Sequence, residues 1–103
     1  MSFLSAIFGN KEKIDYKQLL ADGAIIVDVR GPGEYAGGHI KGSINIPLDA
    51  IDSRMKELKN KNKAIITCCR SGARSGMAVS KLSSHGLTAY NGGAWDSLNE
   101  LIK

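Results

Sequence analysis

The segment AIITCCRSGARSGMA, residues 64–78, joins an apolar run directly to a polar loop and then to a helical pattern. Its first five residues are apolar or β-branched, which is typical of a strand buried on both faces of a parallel sheet. Helical spacing begins at Arg74 or Ser75 and continues to His85, where Gly86 ends the predicted helix. The segment therefore predicts a strand, a tight loop and a helix in succession, as in a parallel α/β sheet.

The same alternation runs through the rest of the chain. Four further strands are predicted, at residues 14–15, 24–29, 43–47 and 87–90. Three further helices are predicted, at residues 16–21, 52–58 and 94–102. This order predicts an α/β fold: one mostly parallel sheet of about five strands, with helices on both of its faces.

Length and composition fit one small domain. The chain has 103 residues, 43% of them hydrophobic, which indicates a globular core rather than disorder. We place the domain at residues 14–103 and interpret residues 1–13 as a lead-in or flexible segment, without stable membrane insertion. The formal net charge of +4 favours small anionic ligands. The basic run at residues 53–63 carries no aromatic residue, which argues against nucleic-acid binding.

Cysteine usage indicates free thiols. The only two cysteines, Cys68 and Cys69, are neighbours in the sequence, and a disulfide between neighbours is strained and rare. We therefore expect a reducing compartment and a cytoplasmic protein. Only His39 and His85 could add metal ligands, so a zinc site is not expected. We also expect a monomer.

The loop from Cys69 to Arg74 has the composition of an anion cradle. A tight turn between a strand end and a helix start directs several backbone N–H groups to one centre, and the helix dipole adds positive charge there. Gly72 permits unusual backbone angles, while Arg70 and Arg74 add two cations. A cysteine at the base of such a loop is favoured as a thiolate, the nucleophilic form.

Two registers compete for the nucleophile. Counted from Cys68 to Arg74 the loop reads C-x5-R-S, the pattern of cysteine phosphatases, whereas from Cys69 it reads the tighter C-x4-R-S. Strand periodicity favours Cys68 as a packed core residue. The two arginines and the glycine loop make inert burial of Cys69 the poorer interpretation.

Two motifs together resemble a single-domain rhodanese, a thiosulfate sulfurtransferase. The segment IIVDVRGPGEYAGGHIKGSINIP, residues 25–47, is similar to that family's D-V-R, E-Y, G-H-I and N-I-P segment. The segment ITCCRSGARSGMA, residues 66–78, resembles its active loop, and GGAW at residues 92–95 resembles the family's closing G-G and tryptophan. The similarity extends from about Ile14 to the C-terminus.

The resemblance implies that Cys69, which immediately precedes R-S-G, carries a persulfide between a donor such as thiosulfate and a thiophilic acceptor such as cyanide, a thiol or a sulfur-accepting protein. It implies no metal or organic cofactor. The implied substrate-binding residues follow the cysteine: Arg70, Ser71, Gly72, Ala73, Arg74 and Ser75.

Alternative functions and secondary roles follow from the same residues. The alternatives are a persulfide carrier without turnover, a binding module, and a phosphatase using Cys68. Cys68 stands where the family usually has an aromatic residue, so a second thiol could intercept an oxidised or persulfidated Cys69. Structural roles are expected for Asp28, Arg30, Glu34 and His39. Trp95 is expected to cover the core in preference to the rim of the site.

Overall fold

A computed structural model describes residues 14–103 of the chain. The expectation of a lead-in or flexible segment at residues 1–13 lies outside this range. The described part is an α/β fold whose strands and helices alternate along the chain. None of its helices is long and apolar enough to cross a bilayer.

Four strands form one parallel sheet in the described part of the chain. They are β1 (Ile25–Asp28), β2 (Ile44–Asn45), β3 (Ile65–Cys69) and β4 (Ala89–Ala94). Their spatial order is β2-β1-β3-β4, so β1 and β3 are central. Every residue of β3 is buried, as the continuous apolar run predicts.

Helices cover both faces of this sheet. The helices are α1 (Tyr16–Ala21), α2 (Pro32–Ala36), α3 (Met55–Lys61), α4 (Ala73–Ser84) and α5 (Trp95–Leu101), with two 3₁₀ turns at Leu48–Ala50 and Asp52–Arg54. One core cluster contains Val27, Ile65 and Leu82, between the sheet and α3 and α4. The other contains Ile26 and Ile66 and packs against α1 and α5.

The α/β class and the parallel sheet with helices on both faces are confirmed. The number of strands differs, because four are present among residues 14–103 where about five were predicted. The predicted first strand at residues 14–15 was wrong: Asp15 caps α1 instead, and its carboxylate accepts the Gln18 N–H at 3.0 Å.

A bulge in β4 lies beside the end of β3. Thr67 pairs with Asn91 and Cys69 pairs with Ala94, so β4 has one residue more than β3 between these pairs. Gly92 fits this bulge because it lacks a side chain: an added Cβ would lie 2.8 Å from the Thr67 carbonyl oxygen and 2.8 Å from Leu98. The bulge begins directly after Asn91, which pairs with Thr67.

Candidate active site

The last residue of β3, Cys69, lies at the carboxyl edge of the sheet, directly before a three-residue loop and α4. Ligands in open parallel sheets bind at this edge. The loop closes at Gly72, which has a φ of 103° and precedes the first residue of α4. That backbone conformation strongly favours glycine. The side chain of Thr67 anchors the start of α4, because its hydroxyl donates to the Ser75 carbonyl at 2.9 Å.

The sulfur of Cys69 is surrounded by hydrogen-bond donors. The Gly72 N–H donates to Sγ at 3.0 Å and the Ser75 N–H donates at 3.4 Å. The Ser75 hydroxyl lies 3.3 Å from the same sulfur. Both N–H groups belong to the start of α4, where the helix dipole is positive. The arrangement therefore favours negative charge on sulfur.

These contacts lower the pKa of Cys69. Burial alone would raise the pKa of this thiol, which is 1% exposed. Hydrogen bonds from the Ser75 hydroxyl, the Ser75 N–H and the Gly72 N–H outweigh burial, and the pKa lies below that of an ordinary cysteine. Low exposure and a favoured thiolate therefore coexist, so burial does not distinguish this cysteine from an inert one.

Cys68 faces the other side of the sheet. Its side chain packs in the cluster with Ile26 and Ile66, whereas Cys69 belongs to the opposite cluster, because successive strand residues point to opposite faces. Burial and the neighbouring Asp28 carboxylate raise the pKa of Cys68 to about 12. A thiol with 0% exposure and a raised pKa does not fit the role of a phosphatase nucleophile. The geometry also gives no support to interception of Cys69 by Cys68.

The guanidinium of Arg74 is held by Glu34. Its Nη1 donates to Oε1 at 2.7 Å and its Nη2 donates to Oε2 at 3.0 Å, a bidentate ion pair. The Arg74 guanidinium, together with the Gly31 N–H, lowers the pKa of Glu34 to about 2. The charge of Arg74, one of the two predicted cations, is therefore paired with a carboxylate in this structure.

Arg70 differs from Arg74. It is exposed and makes no hydrogen bond or ion pair to any other residue between 14 and 103. It lines an open cleft of about 390 Å³ together with Arg30, Trp95 and Asp96. Arg30 stacks over the Trp95 ring at 4.8 Å. Trp95 also packs partly buried against the core, so it serves the core, as predicted, and lines the cleft as well.

The predicted structural roles of Asp28 and Arg30 agree with their contacts. The two side chains form a buried ion pair with an Nη2 to Oδ2 distance of 2.7 Å. Arg30 also donates to the carbonyls of Glu34 at 3.2 Å and Gly38 at 2.7 Å. The pair thereby ties the end of β1 to the α2 segment. His39 stacks on Tyr35 with ring centroids 3.8 Å apart, also a structural contact.

The other predicted site residues lie around the same sulfur. Ser71 contributes a backbone N–H that lowers the pKa of Cys69. Ala73 begins α4. Within residues 14–103 no group of three or more His, Cys, Asp or Glu side chains is placed to hold a metal ion.

Asn91 is the site residue that the sequence-based prediction missed. Its Oδ1 accepts the Ser75 hydroxyl at 2.6 Å and the Gly93 N–H at 2.9 Å, and its Nδ2 donates to the Gly72 carbonyl at 3.1 Å. One signal was available: a polar residue on the strand beside β3, towards the edge of the sheet where ligands bind.

The sequence was compared with a family profile and with individual relatives, and the two comparisons agree. The profile of the family described as rhodanese-like domain matches residues 12–96. The putative sulfur carrier protein YrkF of Bacillus subtilis is 40% identical over 76 residues, covering 74% of this chain and 38% of that protein. A sulfurtransferase of Allochromatium vinosum is 39% identical over 71 residues, covering 67% of this chain and 65% of that protein.

The structural comparison agrees. A solved structure described as rhodanese with anions from E. coli is 33% identical, with a TM-score of 0.66, and the match covers 72% of this chain and 89% of that one. The chain spans about half the length of the curated relatives it matches. Because the family profile matches most of the chain and the fold agrees, this chain belongs to the rhodanese-like domain family.

Proposed function

We propose that the protein is a sulfurtransferase that carries sulfane sulfur as a persulfide on Cys69. The observation that carries this proposal is the set of donors aimed at one sulfur: the Gly72 N–H at 3.0 Å and the Ser75 N–H at 3.4 Å, both at the start of α4. A sulfur in this position is stabilised as an anion and is a good nucleophile. Relatives named sulfurtransferases support the same chemistry.

The proposed cycle has two displacements. In the first, the Cys69 thiolate attacks the outer sulfur of thiosulfate, a new S–S bond forms, and the old S–S bond breaks as sulfite leaves with its electron pair. In the second, a thiophilic acceptor such as cyanide or a thiol attacks the terminal sulfur, and the Cys69 thiolate leaves. The cycle returns the enzyme unchanged and uses no metal or organic cofactor.

The two loop arginines take different roles in this proposal. Arg70 is exposed beside the cleft and binds the anionic donor, because its guanidinium has no carboxylate partner within residues 14–103. Arg74 is bound to Glu34, so it orients the start of α4 and contributes only part of its charge. The loop N–H groups stabilise the charge that develops on Cys69 as it departs.

The cleft beside Arg70 is the proposed acceptor path. Its volume of about 390 Å³ admits a small thiol. The Trp95 ring and the Arg30 guanidinium that stacks on it form one wall. We propose that acceptors are small molecules or the thiol of a partner protein, and that the protein works as a monomer without nucleic acid.

A persulfide carrier is the second candidate. The similarity to a putative sulfur carrier protein, at 40% identity, is the observation that favours it. A carrier shares the first displacement but passes its sulfur only to a particular protein. The two candidates therefore differ in turnover with cyanide, which is small enough to need no docking surface.

The test is the intact mass of the purified protein after incubation with thiosulfate. We expect a gain of one sulfur that cyanide removes, retained in Cys68→Ala and absent in Cys69→Ala. Steady thiocyanate production then identifies a sulfurtransferase, whereas loading without turnover identifies a carrier. A wild type that gains no sulfur from thiosulfate or from a polysulfide contradicts the proposal, as does a gain that persists in Cys69→Ala.

A further inference from the structure

The Ser75 hydroxyl lies between two groups that compete for its one proton. Its oxygen is 2.6 Å from Asn91 Oδ1 and 3.3 Å from Cys69 Sγ. The contact to Asn91 is short for an O–H···O hydrogen bond, whose usual distance is about 2.7–2.8 Å. An amide oxygen carries no proton, so in this contact the hydroxyl must donate.

The orientation of the Asn91 amide is fixed independently. Its oxygen accepts the Gly93 N–H at 2.9 Å, and its nitrogen donates to the Gly72 carbonyl at 3.1 Å. Exchanging the amide oxygen and nitrogen would place donor against donor at the Gly93 N–H. It would also place acceptor against acceptor at the Gly72 carbonyl. The acceptor facing Ser75 is therefore the oxygen.

This arrangement suits only one protonation state of the cysteine. With its proton directed at Asn91, the Ser75 oxygen presents lone pairs to Cys69, which suits an S–H donor and opposes a thiolate. When Cys69 loses its proton to water, the hydroxyl must rotate to donate to Sγ. Asn91 Oδ1 then keeps one donor, the Gly93 N–H at 2.9 Å.

We propose that Asn91 is a positioning residue that holds the Ser75 hydroxyl proton while Cys69 is a thiol and releases it to Sγ when the thiolate forms. Asn91 makes no hydrogen bond to the sulfur, and it acts through Ser75. The bulge that contains Gly92 and Gly93 places it there. The same rotation occurs each time the thiolate forms or is consumed, so Asn91 sets the fraction of reactive enzyme.

This inference rests on the proposed function, since it takes Cys69 as the nucleophile. Its test measures how much of Cys69 is thiolate and does not depend on sulfur transfer. The rate of Cys69 alkylation by iodoacetamide is measured against pH in a Cys68→Ala background, which leaves one thiol. Failure of sulfur loading would leave this titration unaffected, so the two failures are distinguishable.

Two variants separate the acceptor from the loop contact. Asn91→Ala and Asn91→Asp both lose the Nδ2 donor to the Gly72 carbonyl, but only Asp keeps an oxygen for Ser75. We expect Asn91→Ala to lower the midpoint of the alkylation profile by about half to one pH unit, which is about three- to tenfold more thiolate at acidic pH. We expect Asn91→Asp to raise it. The Asp charge also raises the midpoint through space, so the signs alone do not decide, and the Ser75 background below separates the two routes.

A double-mutant cycle isolates the route through Ser75. In a Ser75→Ala background the effect of Asn91→Ala should vanish, and Asn91→Asp should keep only its through-space charge effect. Equal shifts with and without Ser75, or shifts of one sign in both variants, overturn the proposal. Thermal melting checks folding. Should Asn91→Ala not fold, the Asp arm decides: an equal rise in both Ser75 backgrounds overturns the proposal, and a smaller rise without Ser75 supports it.

Discussion

Replacing Asp28 by asparagine removes one charge from a buried ion pair and leaves the shape of the side chain almost unchanged. The Asp28 carboxylate is 0% exposed and accepts four hydrogen bonds from Arg30, at 2.7 to 3.1 Å. Three of these come from the guanidinium. An amide offers one oxygen in place of two and turns an N–H₂ group towards donors, so Arg30 would be left as an uncompensated buried cation.

The expected loss of stability is large. Breaking a buried ion pair by removing one partner costs about 3–5 kcal/mol of stability. The whole free energy of unfolding of a small domain is about 5–15 kcal/mol. For a chain of this size each 1 kcal/mol lowers the melting temperature by about 4–8 °C. We therefore expect Asp28→Asn to melt at least about 12 °C below the wild type.

The assay is urea and thermal unfolding followed by circular dichroism at neutral pH. Glu57→Gln is the matched control, because it makes the same acid-to-amide change in the exposed Arg54–Glu57 pair, whose side chains are 37% and 47% exposed. We expect little change there. A loss in Asp28→Asn below about 1 kcal/mol, or no larger than in the control, would falsify the view that this pair ties β1 to the α2 segment.

Three further predictions follow from single contacts. Gly92→Ala should destabilise the fold by about 1–3 kcal/mol, because its Cβ would lie 2.8 Å from a backbone oxygen. Gly33→Ala, whose Cβ would meet no atom within 4 Å apart from its chain neighbours and its own helix backbone, should not destabilise the fold, and equal melting temperatures for the two variants would contradict this. Between about pH 9 and about 12 the folded state keeps the Cys68 proton that the unfolded chain loses, so stability should fall as the pH rises. Cys68→Ala should flatten that part of the stability curve, and an unchanged slope would count against the raised pKa. Glu34→Gln removes a negative charge beside the loop and frees the Arg74 guanidinium. The KM for thiosulfate should therefore fall several-fold, and a higher KM would contradict the view that Glu34 weakens the charge that Arg74 offers to the donor.

Local sequence pattern was enough to predict the two central strands and the first helix. The central strands β1 and β3 are continuous apolar runs, because both faces of a parallel sheet are covered by helices, and the predicted α1 matches Tyr16–Ala21. The strand β4 extends to Ala94, whereas the prediction ended it at Tyr90. Asn and Gly are typical of turns, so local pattern does not predict Asn91, Gly92 and Gly93 as strand residues, and only pairing with β3 makes them part of one.

In the candidate site, too, neighbouring residues were predictable from the sequence and contacts between distant residues were not. The loop after Cys69 is contiguous, so its donors and its helix start were predictable from composition and spacing. Glu34 lies 40 residues before Arg74, and Asn91 lies 16 residues after Ser75. No local pattern links such pairs, because folding alone brings them together. The assignment of Cys69 as the reactive thiol stays a prediction that the mass experiment decides.

Under the proposed function, the opposite orientation of Cys68 and Cys69 has a consequence for the lifetime of a persulfide on Cys69. A neighbouring thiol within reach of a persulfide would attack its inner sulfur, close a disulfide and expel hydrosulfide, discharging the enzyme without an acceptor. Here the backbone of β3 stands between the two side chains, and burial raises the pKa of the Cys68 thiol to about 12, so it is protonated at neutral pH. If Cys69 carries sulfur as proposed, that sulfur is insulated from the neighbouring thiol, and only molecules arriving from outside can remove it.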